Sequence, residues 1–194
     1  MGGGTAVGVA SARAALVVAR RSPRLVTLLE QMNAWSDNFT AEMVLKQLGL
    51  QAGGSASSAG GAAVVNSVLA TDGIPLAGIR IADGSGLSSL DLLTARALVA
   101  TMQTVWHDPS LRKALLPTLA VAGSTGTLRH RLLGVPEHTL VRGKTGTTNG
   151  SSSLVGFVGS RYAFAAVVNG SPVDWSAARE LQDRVARALL AALA

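Results

Sequence analysis

Cysteine is absent from the 194 residues, charged residues make up only 14% and aromatics 4%. Without cysteine a disulfide scaffold is excluded, although an exported bacterial protein and a cytosolic one remain equally compatible. No apolar run approaches the roughly 18–20 residues of a spanning helix, and the longest, residues 6–19, is interrupted by Arg13. Cations outnumber acids 17 to 11, yet no basic run exceeds Arg20-Arg21 and no aromatics are interleaved with one, which argues against nucleic-acid binding. The opening Met1-Gly2-Gly3-Gly4-Thr5 has no charged n-region of a secretory signal, and Ala6 stands where a myristoylation motif needs Ser or Thr. What is present is 48% hydrophobic residues and 22 glycines, a composition that excludes a disordered tail and suits one folded domain.

Periodicity gives the elements. Ser22-Pro23 followed by Leu25, Leu28, Leu29 and Met32 predicts a helix to about Trp35, with Ser22 as cap and Pro23 in the first turn. A second helix is expected over about 39–48 with a stop at Gly49, the glycine- and serine-rich stretch 53–61 as a flexible loop, and a short helix over 62–69. Residues 79–81 alternate like a strand, a long helix follows over about 90–106, and Asp108-Pro109-Ser110 opens a short one. Strands are predicted over 139–147, 154–158 and 162–168, then a helix over 175–193 with Ala178, Leu181, Val185 and Leu189 apolar. Antiparallel strands with packed helices make an α+β fold.

Several motifs fail on inspection. Gly143-Lys144-Thr145 matches the end of a phosphate loop, but His138 stands where its first glycine is required. No G-x-S-x-G elbow occurs, and His107, His130 and His138 form no metal-binding pair, so neither a metal nor a cofactor is expected. Two triplets survive. Ser36-Asp37-Asn38 alone reads as a helix cap and Lys144-Thr145-Gly146 alone as a strand end. In this order, before a helix and on a strand, they are two of the three motifs of serine acyl enzymes that act on D-Ala-D-Ala peptides and β-lactams.

The text around them resembles the class C low-molecular-mass penicillin-binding proteins, the D-alanyl-D-alanine carboxypeptidase/endopeptidase family. The matching pieces are Ser22-Pro23-Arg24-Leu25, Trp35-Ser36-Asp37-Asn38-Phe39, Ala41-Glu42-Met43, Asp83-Gly84-Ser85-Gly86-Leu87-Ser88, Ala122-Gly123, Gly126-Thr127-Leu128-Arg129 and Arg142-Gly143-Lys144-Thr145-Gly146-Thr147. Phe157-Val158 and Val168-Asn169 continue it to the last strands. The resemblance implies a penicillin-binding-protein transpeptidase-like, serine β-lactamase-like fold. It also implies a serine-type carboxypeptidase acting on peptidoglycan stem peptides that end in D-Ala-D-Ala, with β-lactams as ligands and the cell envelope as the family's place of work. Ser36 and Lys144 would be catalytic, Ser36 passing a proton to the leaving group. Asn38, Thr145, Gly146 and Thr147 would bind substrate, Thr147 also lending its N–H to the oxyanion. Asp83 to Ser88 reads as a structural turn.

The family's S-x-x-K, which carries nucleophile and base, stands upstream of S-x-N. Here the only such pattern is Ser110-Leu111-Arg112-Lys113, between the other two motifs, where it reads as an ordinary helix start. The chain therefore reads as an incomplete catalytic domain: residues 1–21 a poorly structured segment, 22–194 the C-terminal part, with no nucleophile of its own and no activity alone. The alternative is a non-catalytic module that binds peptidoglycan stems or β-lactams.

Overall fold

A computed structural model describes residues 8–9 and 11–193. The N-terminal pentapeptide and Ala6, on which the targeting expectations rest, lie outside them, as does part of the expected 1–21 segment. Helices α1 (Leu25–Trp35) and α2 (Asn38–Gln51) meet at a two-residue joint, and α3 (Ser58–Thr71) folds back on α2. Then come α4 (Ala95–His107) and α5 (Pro109–Leu115), strands β1 (Ala120–Val121), β2 (Val141–Thr147), β3 (Ser151–Val158) and β4 (Tyr162–Asn169), and helix α6 (Trp175–Ala191). The sheet is antiparallel in the order β1-β2-β3-β4, so the α+β arrangement stands. Among the described residues no helix is long and apolar enough to cross a membrane.

Capping corrects several sequence boundaries. Helix α1 starts at Leu25, with Arg24 at its N-cap and no side-chain cap, so Ser22 and Pro23 lie outside it. Helix α3 starts at Ser58 because the Ser57 hydroxyl accepts from Gly60 N at 3.0 Å, which shortens the expected loop. Helix α4 starts only at Ala95, capped by Thr94. Leu92 instead bridges to Arg80 through two backbone hydrogen bonds, at 2.9 and 2.8 Å. The predicted 79–81 strand reduces to that bridge. Gly49 does not stop α2. It lies inside the helix, buried, where a Cβ would run into Ser55 O and the Gly60-Gly61 backbone, so its role is close helix approach.

Each sheet face is covered. On one, Val141, Leu154, Val158 and Phe164 pack with Leu128, Leu132, Ala186 and Leu190. The buried stripe of α6 is Ala178, Gln182, Ala186 and Leu190, its alanines letting the helix sit close to the strands; of the expected apolar positions Ala178 lies on it, Val185 and Leu189 pack at its edge and Leu181 is exposed. Gln182, 1% exposed, is tolerated there by pairing. Its amide donates to Ser152 Oγ at 3.0 Å and accepts from Arg131 Nη1 at 3.1 Å, while Arg131 also reaches Asp183 at 2.6 Å. On the other face α4 lies against β3 and β4, with Trp106 and Phe157 ring centroids 5.2 Å apart.

Glu42 ties the helical part together. Its carboxylate accepts from Ser58 Oγ at 2.5 Å and from Gly84 N at 2.7 Å, joining α2, α3 and the Asp83 turn, and Lys46 lies 3.3 Å away. The Ser58 hydroxyl, then the Gly84 N–H, hold its pKa below the usual 4.5. Glu42→Gln is expected to cost about 1–3 kcal/mol in urea denaturation near neutral pH. Because the folded pKa is the lower one, this contribution is present above pH 4.5 and fades as pH falls through the depressed value, so wild type and variant converge in acid.

Candidate active site

Helix α1 closes and α2 opens within three residues. The Ser36 and Asp37 N–H groups both return to Met32 O, and the Asp37 carboxylate then accepts from Thr40 N at 2.6 Å to start α2. This reversal forces Ser36 into the left-handed region, φ 60°, ψ 51°, where glycine or asparagine is usual. A serine held there costs about 1 kcal/mol. Ser36→Gly is accordingly expected to be more stable than Ser36→Ala by about that amount in chemical denaturation, although both lose the hydroxyl.

That hydroxyl meets Lys144, 108 residues away on β2. Lys144 Nζ donates to Ser36 Oγ at 2.6 Å and to the carbonyl of Thr145 at 2.7 Å. Both acceptors are neutral, and neither ion pair found among the described residues involves this lysine. Burial pushes its pKa from 10.5 down to about 8. A cation held this way, short of water and without a counter-charge, is poised to receive an anion.

A third segment holds the two together. At the turn Gly126–Leu128, Gly126 has φ +56°, and a Cβ there would overlap the carbonyl oxygen of Ala34 in the last turn of α1. The next residue, Thr127, receives the Thr145 hydroxyl at 2.9 Å. So α1, this turn and β2 converge on Ser36, Thr127, Lys144 and Thr145. Thr127 is the residue that motif reading passed over. It stood inside the Gly126-Thr127-Leu128-Arg129 piece, but a lone threonine in a glycine turn carries no chemical signal of its own.

The other predicted residues border the cluster. Gly146 follows on β2, where a Cβ would meet the Ser153 hydroxyl at 2.6 Å. Thr147 is exposed at the strand's end and Asn38 is exposed in the first turn of α2, and neither side chain has a hydrogen-bond partner among the described residues. Strand β1 pairs only with Arg142 and Gly143, so along 144–147 the outer edge of β2 has no strand beside it among the described residues. Trp35 and Phe39, 60% and 73% exposed, flank the Ser36 joint, and the Arg129 guanidinium lies 5.4 Å from the Trp35 ring centroid. Ser110 and Lys113 are elsewhere: both are exposed on α5, and the Ser110 hydroxyl is given to the Asp108 carboxylate at 2.7 Å.

A family model for D-Ala-D-Ala carboxypeptidase 3 (S13) matches residues 3–192. The chain belongs to that family. A carboxypeptidase of Mycobacterium tuberculosis is 38% identical over 165 residues, covering 80% of this chain and 35% of that protein. A D-alanyl-D-alanine carboxypeptidase of Actinomadura is 33% identical over 157 residues, 77% of this chain and 29% of that one. Penicillin-binding protein 4 of Haemophilus influenzae, solved with a β-lactam, superposes with a TM-score of 0.72 at 27% identity, covering 84% of this chain and 41% of that one. This S13 chain thus spans about a third of the length of the curated relatives it matches.

Proposed function

We propose that this S13 chain supplies the Ser36–Asn38 and Lys144–Thr147 side of a serine-type D-Ala-D-Ala carboxypeptidase/endopeptidase site, acting on peptidoglycan stem peptides through an acyl-enzyme. The attacking serine and its base would come from an S-x-x-K segment beyond these 194 residues, since Ser110 and Lys113 are away from the cluster. The observation that carries the reading is the 2.6 Å contact between Lys144 and Ser36.

The chemistry divides as follows. The stem peptide's terminal carboxylate lies toward Lys144, with the Thr145 and Thr147 hydroxyls as further donors. Its backbone runs as an added strand along the open 144–147 edge of β2, with Asn38 holding a substrate amide. Attack by the external serine forms an ester to the penultimate D-Ala carbonyl and breaks the C–N bond to the terminal residue. Ser36 hands its proton to the departing amine and is resupplied through Lys144. The Thr147 N–H steadies the oxyanion. At pH 7 roughly one Lys144 in ten is neutral and the rest are charged, so the group serves both electrostatics and proton exchange.

Titration of the 194-residue chain with a fluorescent penicillin tests this. Saturable, reversible binding is expected, without a covalent adduct. Affinity should be flat up to about pH 7 and fall toward tenfold per pH unit above about 8, because the lysine whose charge attracts the carboxylate loses it there. A stable covalent adduct would overturn the external nucleophile. Absence of any binding would overturn the whole reading.

A further inference from the structure

The Thr127–Thr145 contact joins two hydroxyls 2.9 Å apart, and only one of them can donate along that line. In the ligand-free arrangement Thr145 donates, so its proton is spent on Thr127 and is unavailable to a ligand. A hydroxyl is both donor and acceptor, and a small rotation of the Thr127 side chain reverses the pair: Thr127 then donates to Thr145, and the Thr145 proton turns outward. We infer that Thr127 is a positioning residue that aims the Thr145 hydroxyl at the substrate's carboxylate, its own proton filling the Thr145 acceptor site.

Three features support this. Thr127 is fixed from behind, because Gly126 is pressed against Ala34 and the turn is closed by the Arg129 N–H on Gly126 O at 3.3 Å. Thr145 follows Lys144 on β2, its carbonyl accepts from Lys144 Nζ at 2.7 Å, and it lies on the stretch of the strand whose outer edge is open. Both hydroxyls are also half-buried, and a donor whose oxygen already accepts a hydrogen bond is polarised and strengthened. No proton leaves the pair; the one bond between the hydroxyls reverses and Thr145 gains a new bond to the anion.

The inference rests on the reading of Thr145 as a carboxylate donor, and the experiment separates the two. Affinities of benzylpenicillin and of its methyl ester are measured for wild type, Thr127→Val, Thr127→Ser, Thr145→Val and the double Thr127→Val/Thr145→Val chain. Thr145→Val should weaken the acid about tenfold, Thr127→Val about fivefold, and Thr127→Ser less than about twofold. The ester should respond to none of them, and Thr127→Val should add nothing in the Thr145→Val background. Loss of acid and ester binding alike, or additive effects in the double variant, would mean that Thr127 only packs the turn and would overturn the inference. A silent Thr145→Val would overturn the donor role of Thr145 and the inference with it. Full effect from Thr145→Val with none from Thr127→Val would overturn the inference alone.

Discussion

Lys144→Met is expected to weaken penicillin binding about 100-fold and, in the same protein, to raise stability. Both follow from one fact, that the ammonium is largely shielded from water with no counter-charge beside it among the described residues. A charge-assisted hydrogen bond to a carboxylate is worth about 1.5–3 kcal/mol, enough for a loss of that size. The folded-state pKa of about 8 against 10.5 corresponds to roughly 3 kcal/mol that folding spends on keeping the lysine charged at neutral pH. Methionine has a similar stem and no charge, so that cost disappears, offset in part by the loss of the contacts to Ser36 and Thr145. The sign with pH is fixed. Between 8 and 10.5 the unfolded chain binds more protons at this site than the folded one, so wild-type stability rises through that window. The advantage of Lys144→Met should therefore be full below pH 8 and shrink toward pH 10.5 in paired denaturant titrations. A lysine that is simply structural would give a destabilised variant at every pH.

Gly126→Ala is expected to be the most damaging single methyl near the site, at about 3 kcal/mol or more. Two penalties combine there: a positive φ that alanine resists, and a Cβ placed on the Ala34 carbonyl, backbone that cannot step aside. Gly53→Ala separates them, since Gly53 also has a positive φ, 78°, but nothing lies within 4 Å of a Cβ there. That control should cost only about 1 kcal/mol. Because Gly126 sits between the end of α1 and Thr127, its variant should also lose penicillin affinity, whereas Gly53→Ala should keep it. Equal cost at the two positions in urea titrations would show that contact with α1 is not what the glycine serves.

The site was legible where chemistry and local geometry coincide. Ser36-Asp37-Asn38 reads as a joint because Asp37 caps the next helix, and Lys144 lies on a strand expected over 139–147 and found over Val141–Thr147. Fold class and the three long strands were readable for the same reason, although β3 begins at Ser151 rather than Leu154 because the paired segment opens with three serines. What stayed hidden depends on partners distant along the chain. Strand β1 is two residues long and exists only through its pairing with β2. Gln182 reads as a surface residue until Ser152 and Arg131 are brought to it. Thr127 has meaning only once Thr145 faces it, and the start of α4 was misplaced because Leu92 pairs back to Arg80.

Residues 126–131 form a six-residue strap with three attachments: Gly126 to α1, Thr127 to β2, and Arg131 to the Gln182-Asp183 corner of α6. An insertion or deletion between Thr127 and Arg131 would put the attachment to α6 out of step with the two at the site, so the strap's length is constrained together with its sequence. Diversification of ligand preference has an easier outlet in Phe39, whose ring is 73% exposed beside the Ser36 joint, than in Trp35, whose ring is covered by Arg129 of the strap.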